Sequence, residues 1–102
     1  MENRDSLVKQ VKNICNITWD DKSINEKIDS IIEDAEITLN HKLGAIIDYS
    51  QKGIEHRLFL NYCLYAWNDC LDEFDIKYKN EIYQIRAIHE VKNYVKKKNK
   101  SI

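Results

Sequence analysis

The sequence predicts an all-α protein: a small four-helix bundle with a long central pair of helices and a basic C-terminal end. Its 102 residues include no proline and two glycines, whereas β-sandwiches and barrels need many turn residues. Apolar residues recur at intervals of three and four along four segments, which is the spacing of one helix face. The length fits a single domain over residues 1–102, in which we expect about residues 96–102 to form a mobile basic tail.

The first two helices have clear start and stop signals. We expect the first helix from about Asn3 to Cys15. The second helix is predicted to start at the capping box Ser23-Ile24-Asn25-Glu26, in which the hydroxyl and the carboxylate each bond a free backbone N–H. Gly44 supplies a left-handed stop just after Leu43. The apolar stripe of this second helix is Ile24, Ile28, Ile31, Ala35 and Leu39.

Two more helices are predicted in the second half of the chain. The third runs from about Ile54 to Phe74 and carries two adjacent apolar stripes, which is typical of the central element of a bundle. The fourth runs from about Asn80 to Lys98. Its buried side is predicted to be Ile82, Ile85, Ile88, Val91 and Val95. The lysines near its end interact favourably with the helix dipole: they are Lys96, Lys97, Lys98 and Lys100.

The connection from Gly44 to Gly53 is unusually apolar for a loop, since exposure to solvent normally favours polar residues. It contains Ile46, Ile47 and Tyr49. Such a segment either folds back over its own bundle or forms a surface that a neighbouring subunit covers. We expect these three side chains to help hold an oligomer together.

Charges nearly cancel over the whole chain but are unevenly placed along it. Sixteen Lys+Arg stand against seventeen Asp+Glu, a formal net charge of -1, which argues against a protein whose entire surface binds nucleic acid. The Asp20–Glu36 region is predominantly acidic, and Lys92 to Lys100 is basic. If copies of such a chain associate, the acidic region of one copy can face the basic region of another, and the near-zero net charge keeps the repulsion between copies weak.

No residue pattern indicates catalysis or metal binding. His41, His56 and His89 lie on three different segments, without an HExxH motif or a Cys/His cluster. The three cysteines form no CxxC pair and are interpreted as reduced core residues. The sequence therefore predicts a protein that is not an enzyme, with no catalytic residue, cofactor or metal.

Neither a membrane span nor a signal peptide is predicted. No apolar run approaches the roughly 18 residues that a spanning helix needs, and the first residues lack the basic start and apolar stretch of a signal peptide. We therefore expect a protein made in the cytoplasm of its host and without a membrane partner.

The order of apolar and aromatic positions resembles the small head–tail connector (adaptor) proteins of long-tailed bacteriophages. In the first half, Ile17-Thr18-Trp19-Asp20-Asp21 leads into the second helix, which closes at Leu43-Gly44. In the second half the resemblance rests on Asn61-Tyr62-Cys63, Tyr65-Ala66-Trp67-Asn68-Asp69, Phe74 through Tyr78, Ile82, Ile85-Arg86 and the region of Val91. It covers about Leu7 to Val95.

The resemblance implies a structural role at the head–tail interface of the virion. Connector proteins form a ring beneath the portal, a dodecamer on the virion, which extends the DNA channel and carries the stopper or tail. The implied partners are other copies of the chain, the portal protein and a head-closure or tail protein, while DNA passes without sequence-specific binding. The resemblance also places the terminal Lys96, Lys97, Lys98 and Lys100 on the portal.

Two other classes of protein stay open. The first is a small helical phage DNA-binding protein, of the terminase small subunit or regulator type, that contacts phosphates through its basic last helix. The balanced charge and the lack of a compact helix-turn-helix pair with a basic recognition helix count against it. The second is a general interaction module that dimerises through the apolar stripe of the second helix.

Overall fold

Five helices make up the part of the chain that the structure, a computed structural model, describes. This part is residues 2–100, with side chains described for residues 4–94. The helices are α1 (Glu2–Ile14), α2 (Lys22–Leu43), α3 (Ile54–Trp67), α4 (Leu71–Lys77) and α5 (Lys79–Lys100). No strand occurs within residues 2–100, and the prediction of an all-α fold is confirmed.

The predicted third helix is in fact two helices, α3 and α4, with a sharp turn between them. Asn68 ends α3, and its side-chain Nδ2 donates a hydrogen bond to the Leu64 carbonyl at 2.9 Å. Asp69 adopts a left-handed conformation with φ of 59°, which Asn and Asp tolerate better than most residues. The expectation of one continuous helix to Phe74 is therefore wrong, and the long central pair of helices in a four-helix bundle is not confirmed.

The start of α2 differs from the predicted capping box. Asp21, not Ser23, caps the helix: its carboxylate Oδ1 accepts a hydrogen bond from the Ser23 backbone N–H at 2.8 Å and another from the Ser23 hydroxyl at 2.9 Å. These two bonds, the backbone one first, hold the pKa of Asp21 below its usual 3.8. Asp is as good a cap as Ser and adds a negative charge at the positive end of the helix dipole.

We expect Asp21→Ala to lower the thermal unfolding midpoint at pH 7. Because folding depresses the pKa of Asp21, its contribution is present above about pH 4 and is lost as the pH falls through the lowered pKa. The midpoints of the variant and the wild type should therefore converge towards pH 2. Asp21→Asn, which keeps a capping oxygen but not the charge, serves as the control, and its midpoint should change less than that of the wild type between pH 7 and pH 2. A gap between Asp21→Ala and wild type that stays constant with pH would contradict the assignment.

The hydrophobic core lies between α2 and α3. α1 packs on both of these helices, α4 packs on α3, and α5 packs on α2 and α4. An aromatic cluster fills the α3–α4 side of the core, where Phe74 contacts Tyr62, Tyr65 and Tyr78. The fully or nearly fully buried residues are Leu7, Val11, Ile17, Ile28, Ile32, Ala35, Leu39, Leu43, Tyr49, Leu58, Phe59, Tyr62, Cys63, Phe74 and Ile85.

The predicted buried side of α5 is only half correct. Ile85 is buried and Ile82 packs against the core, but Ile88 and Val91 are exposed. The side chain of Val95 lies outside the described residues. The last bond from a described α5 side chain to another helix joins His89 Nε2 to Glu55 at the start of α3. Among the described side chains, the apolar spacing of α5 thus continues beyond its contacts with the rest of the bundle.

Candidate interaction surfaces

The loop from Gly44 to Gly53 folds back onto its own bundle. Tyr49 is 2% exposed and stacks on Phe59 with the ring centroids 4.8 Å apart. Its hydroxyl donates to Asn40 Oδ1 at 2.8 Å, and its carbonyl accepts from His56 Nδ1 at 2.6 Å. Burial raises the pKa of Tyr49, which keeps this hydroxyl protonated as a donor. Tyr49 therefore belongs to the monomer core, and the expectation that it faces a neighbouring subunit is corrected.

The two isoleucines of the loop differ in their surroundings. Ile47 is half-buried against the core, and its backbone N–H donates to Asn40 Oδ1 at 3.3 Å. Ile46 is 96% exposed. Of the three predicted interface residues, Ile46 alone presents its full side chain to solvent, so the predicted contact with a neighbour is kept for Ile46.

The lysines predicted to contact the portal fall at the end of α5. The backbone of residues 96–100 is part of this helix. The side chains of Lys96, Lys97, Lys98 and Lys100 lie outside the described residues. Their contact with the portal stays a prediction.

The outer face of α5, which we define as Tyr83, Ala87, Val91 and Tyr94, is apolar and exposed. Its members are spaced by four, four and three residues, so they share one side of the helix. At about 100° per residue this side lies opposite the buried Ile85. Val91 is 63% exposed. Exposed apolar side chains in one contiguous stripe are typical of an interaction site.

The outer face of α2, which we define as Glu26, Ser30, Glu33 and Ile37, has the same kind of spacing but the opposite character. All four side chains are exposed, and they lie on the side of the helix opposite the buried Ile28, Ile32, Ala35 and Leu39. Exposed carboxylates of Asp29 and Asp34 flank this face. It is an acidic surface with one large apolar residue, Ile37.

A groove of about 460 Å³ lies between α2, α4 and α5. Lys42 Nζ pairs with Asp75 at 3.2 Å across it, and Arg86 donates to the Lys42 carbonyl at 3.3 Å. Basic side chains predominate over the single carboxylate in its lining, which is His41, Lys42, Asp75, Lys79, Ile82, Tyr83 and Arg86. Tyr83 belongs both to the lining of this groove and to the outer face of α5.

The thiols of Cys15 and Cys63 are partly and fully shielded from solvent, respectively, and the imidazoles of His56 and His89 make structural contacts. Burial raises the pKa of Cys15 to about 11 and also raises that of Cys63. A raised pKa disfavours the thiolate, the form of cysteine that acts as a nucleophile or metal ligand. Within residues 4–94, no three His, Cys, Asp or Glu side chains come together as metal ligands would. His89 binds Glu55 at 2.9 Å, and His56 holds the loop through Tyr49.

Comparisons of the chain with protein-family models, curated proteins and solved structures found no match. Among residues 2–100, no helix has both the length and the apolar character that crossing a membrane requires. The surfaces described above therefore provide the basis for a functional proposal.

Proposed function

We propose that this protein is a structural subunit of a bacteriophage head–tail connector, which assembles with other copies into a ring beneath the portal. The ring extends the DNA channel and carries the stopper or tail, and no side chain performs catalysis. One observation carries the proposal. A single subunit presents two exposed helix faces of different character, an acidic one on α2 and an apolar one on the otherwise basic α5.

Two different faces on one subunit are what a ring requires. In a ring, one patch of each subunit meets a different patch of the next, and the rotation between neighbours closes the assembly. A two-fold dimer uses the same patch on both partners instead. The near-neutral net charge of -1 supports such an assembly, because many copies can gather without strong overall repulsion.

The proposal is tested by adding the purified protein to tail-less capsids that carry the portal but lack the connector. We expect the protein to sediment with these capsids and to add a ring of density below the portal in electron micrographs. A chain that ends at Val95 lacks the terminal lysines, so we expect it to keep its helical circular dichroism but to bind the capsids more weakly. Capsids that bind no protein, or that acquire functional tails without it, would contradict the proposal.

The basic last helix favours one second candidate, a DNA-binding protein. α5 has seven basic residues and two acidic ones, Glu81 and Glu90, and the basic groove adjoins it. A gel shift with duplex DNA at 50 mM and 200 mM salt separates the two functions. Tight binding that falls by about 10³-fold or more between these concentrations, as expected for several phosphate contacts, would favour DNA binding over the connector.

A further inference from the structure

We propose that the outer face of α5 in one copy packs against the outer face of α2 in the next copy, head to tail. This contact is the interface between neighbouring subunits of the proposed ring, and its role in a connector rests on that proposed function. The contact itself is a property of the purified chain and is measured without a portal.

Charge complementarity is the first argument. Residues 20–36, which include most of α2, hold seven acidic residues and two lysines, and α5 holds seven basic residues and two glutamates. Two α5 helices placed side by side would bring like charges together, and so would two α2 helices. The favourable pairing is therefore α5 of one copy with α2 of another.

Among the side chains of residues 4–94, these opposite charges do not neutralise each other. The ion pairs among the described side chains join Arg4 to Glu36, Lys12 to Asp20, Lys42 to Asp75, Arg86 to Glu90 and His89 to Glu55. None of these connects residues 20–36 with α5. Glu26, Asp29 and Glu33 make no ion pair with any described side chain. The acidic face of α2 therefore remains available to a basic partner.

Shape and apolar surface are the second argument. Along each face, residues recur every three or four positions, so that side chains of one helix fit between those of the other. Ala87 is small and lies in the middle of the α5 face, where it lets the α2 helix approach closely. Exposed apolar residues on both faces, Ile37 on α2 and Tyr83, Val91 and Tyr94 on α5, lose contact with water when the faces meet.

Because the two faces differ, each copy that binds a neighbour still has one free face. Association therefore continues beyond a dimer until the chain of subunits closes. A single helix pair buries less than the roughly 800 Å² per partner of a standard stable interface. We therefore expect each contact to be weak, and the purified protein to form oligomers that grow between about 10 μM and 1 mM.

Two blocked variants provide the decisive test. Glu26→Lys/Glu33→Lys blocks the α2 face, and Ala87→Glu/Val91→Glu blocks the α5 face; all four positions are exposed. In analytical ultracentrifugation we expect each variant alone to be a monomer. An equimolar mixture should associate again, at least into dimers, because the intact α5 face of the first variant can meet the intact α2 face of the second.

Matched controls keep the change of charge but move it elsewhere. Asp72→Lys/Glu73→Lys on α4 matches the α2 variant, and Lys9→Glu on α1 matches the α5 variant; all three positions are exposed. Both controls should form oligomers like the wild type. Raising NaCl from 50 to 500 mM should weaken wild-type association by about tenfold, because salt screens exposed charges.

Three results would overturn the inference: a wild type that is monomeric at 1 mM, a mixture of blocked variants that stays monomeric, or a blocked variant that assembles by itself. The proposed function is judged separately, by binding of wild-type protein to portal-bearing capsids. If the wild type binds capsids but the mixture of blocked variants stays monomeric, this interface is rejected and the connector function is retained. If the mixture of blocked variants forms dimers but the wild type does not bind capsids, the interface is retained and the connector function is rejected.

Discussion

Phe74→Ala is expected to lower the free energy of unfolding by about 3–5 kcal/mol, the usual cost of removing a buried phenylalanine ring. Phe74 is fully buried on α4, a helix of seven residues. Its ring meets Tyr62 edge-on at 5.1 Å and lies 4.8 Å from Tyr78 between centroids. So short a helix has little stability of its own, and this one contributes no other fully buried side chain. We therefore expect the position of α4 to depend on this ring.

Ile76→Ala is the matched control for Phe74→Ala. Ile76 lies two residues later on the same helix but is 80% exposed, so its truncation should change the free energy of unfolding by less than about 0.5 kcal/mol. Urea titrations followed by circular dichroism at pH 7 measure both variants. Equal losses in the two variants, or a loss below about 1 kcal/mol for Phe74→Ala, would contradict the role of the aromatic cluster.

The turn between α3 and α4 shows why the number of helices could not be read from apolar spacing. Cys70, Leu71 and Phe74 continue the apolar spacing of α3 in the sequence, so periodicity extends the helix through the turn. The signal for a break was the pair Asn68-Asp69, since these residues bond nearby backbone groups and tolerate positive φ. Asn and Asp also occur inside helices at a modest cost in helix propensity, so the sequence alone does not decide between the two outcomes.

The spacing of α5 illustrates a second limit of sequence reasoning. Apolar residues at helical intervals correctly predict a helix with an apolar side, and Ile85 is indeed buried. The pattern does not specify, however, whether each turn of the helix is covered by the same chain or by another. Ile88 and Val91 continue the apolar spacing but are exposed, so only a partner chain could bury them.

The candidate surfaces could be predicted only in part. The acidic segment and the basic end were evident in the sequence, because charge depends only on residue type. Their organisation into faces depends on which side of each helix is buried, and the structure supplies this. In the loop, an apolar segment could pack inward or outward. The hydrogen bond between Tyr49 and Asn40 indicates the inward packing, since a buried tyrosine hydroxyl needs a partner.

Tyr49→Ala is expected to lower the free energy of unfolding by about 3–5 kcal/mol, because it removes a buried aromatic side chain. The ring stacks on Phe59, and the hydroxyl bonds Asn40 on α2. Truncation leaves a cavity at Phe59 and an Asn40 oxygen whose remaining donor is the Ile47 N–H at 3.3 Å. Chemical denaturation at pH 7, followed by circular dichroism, measures the change.

Two further variants separate the parts of this contact. Tyr49→Phe keeps the stacked ring and removes only the hydrogen bond, so it should cost about 0.5–1.5 kcal/mol. Ile46→Asp changes the exposed residue of the same loop and should alter stability by less than about 0.5 kcal/mol, while we expect it to impair assembly on portal-bearing capsids. If Tyr49→Ala retained wild-type stability but failed to assemble, Tyr49 would be an interface residue after all, and the loop would pack outward.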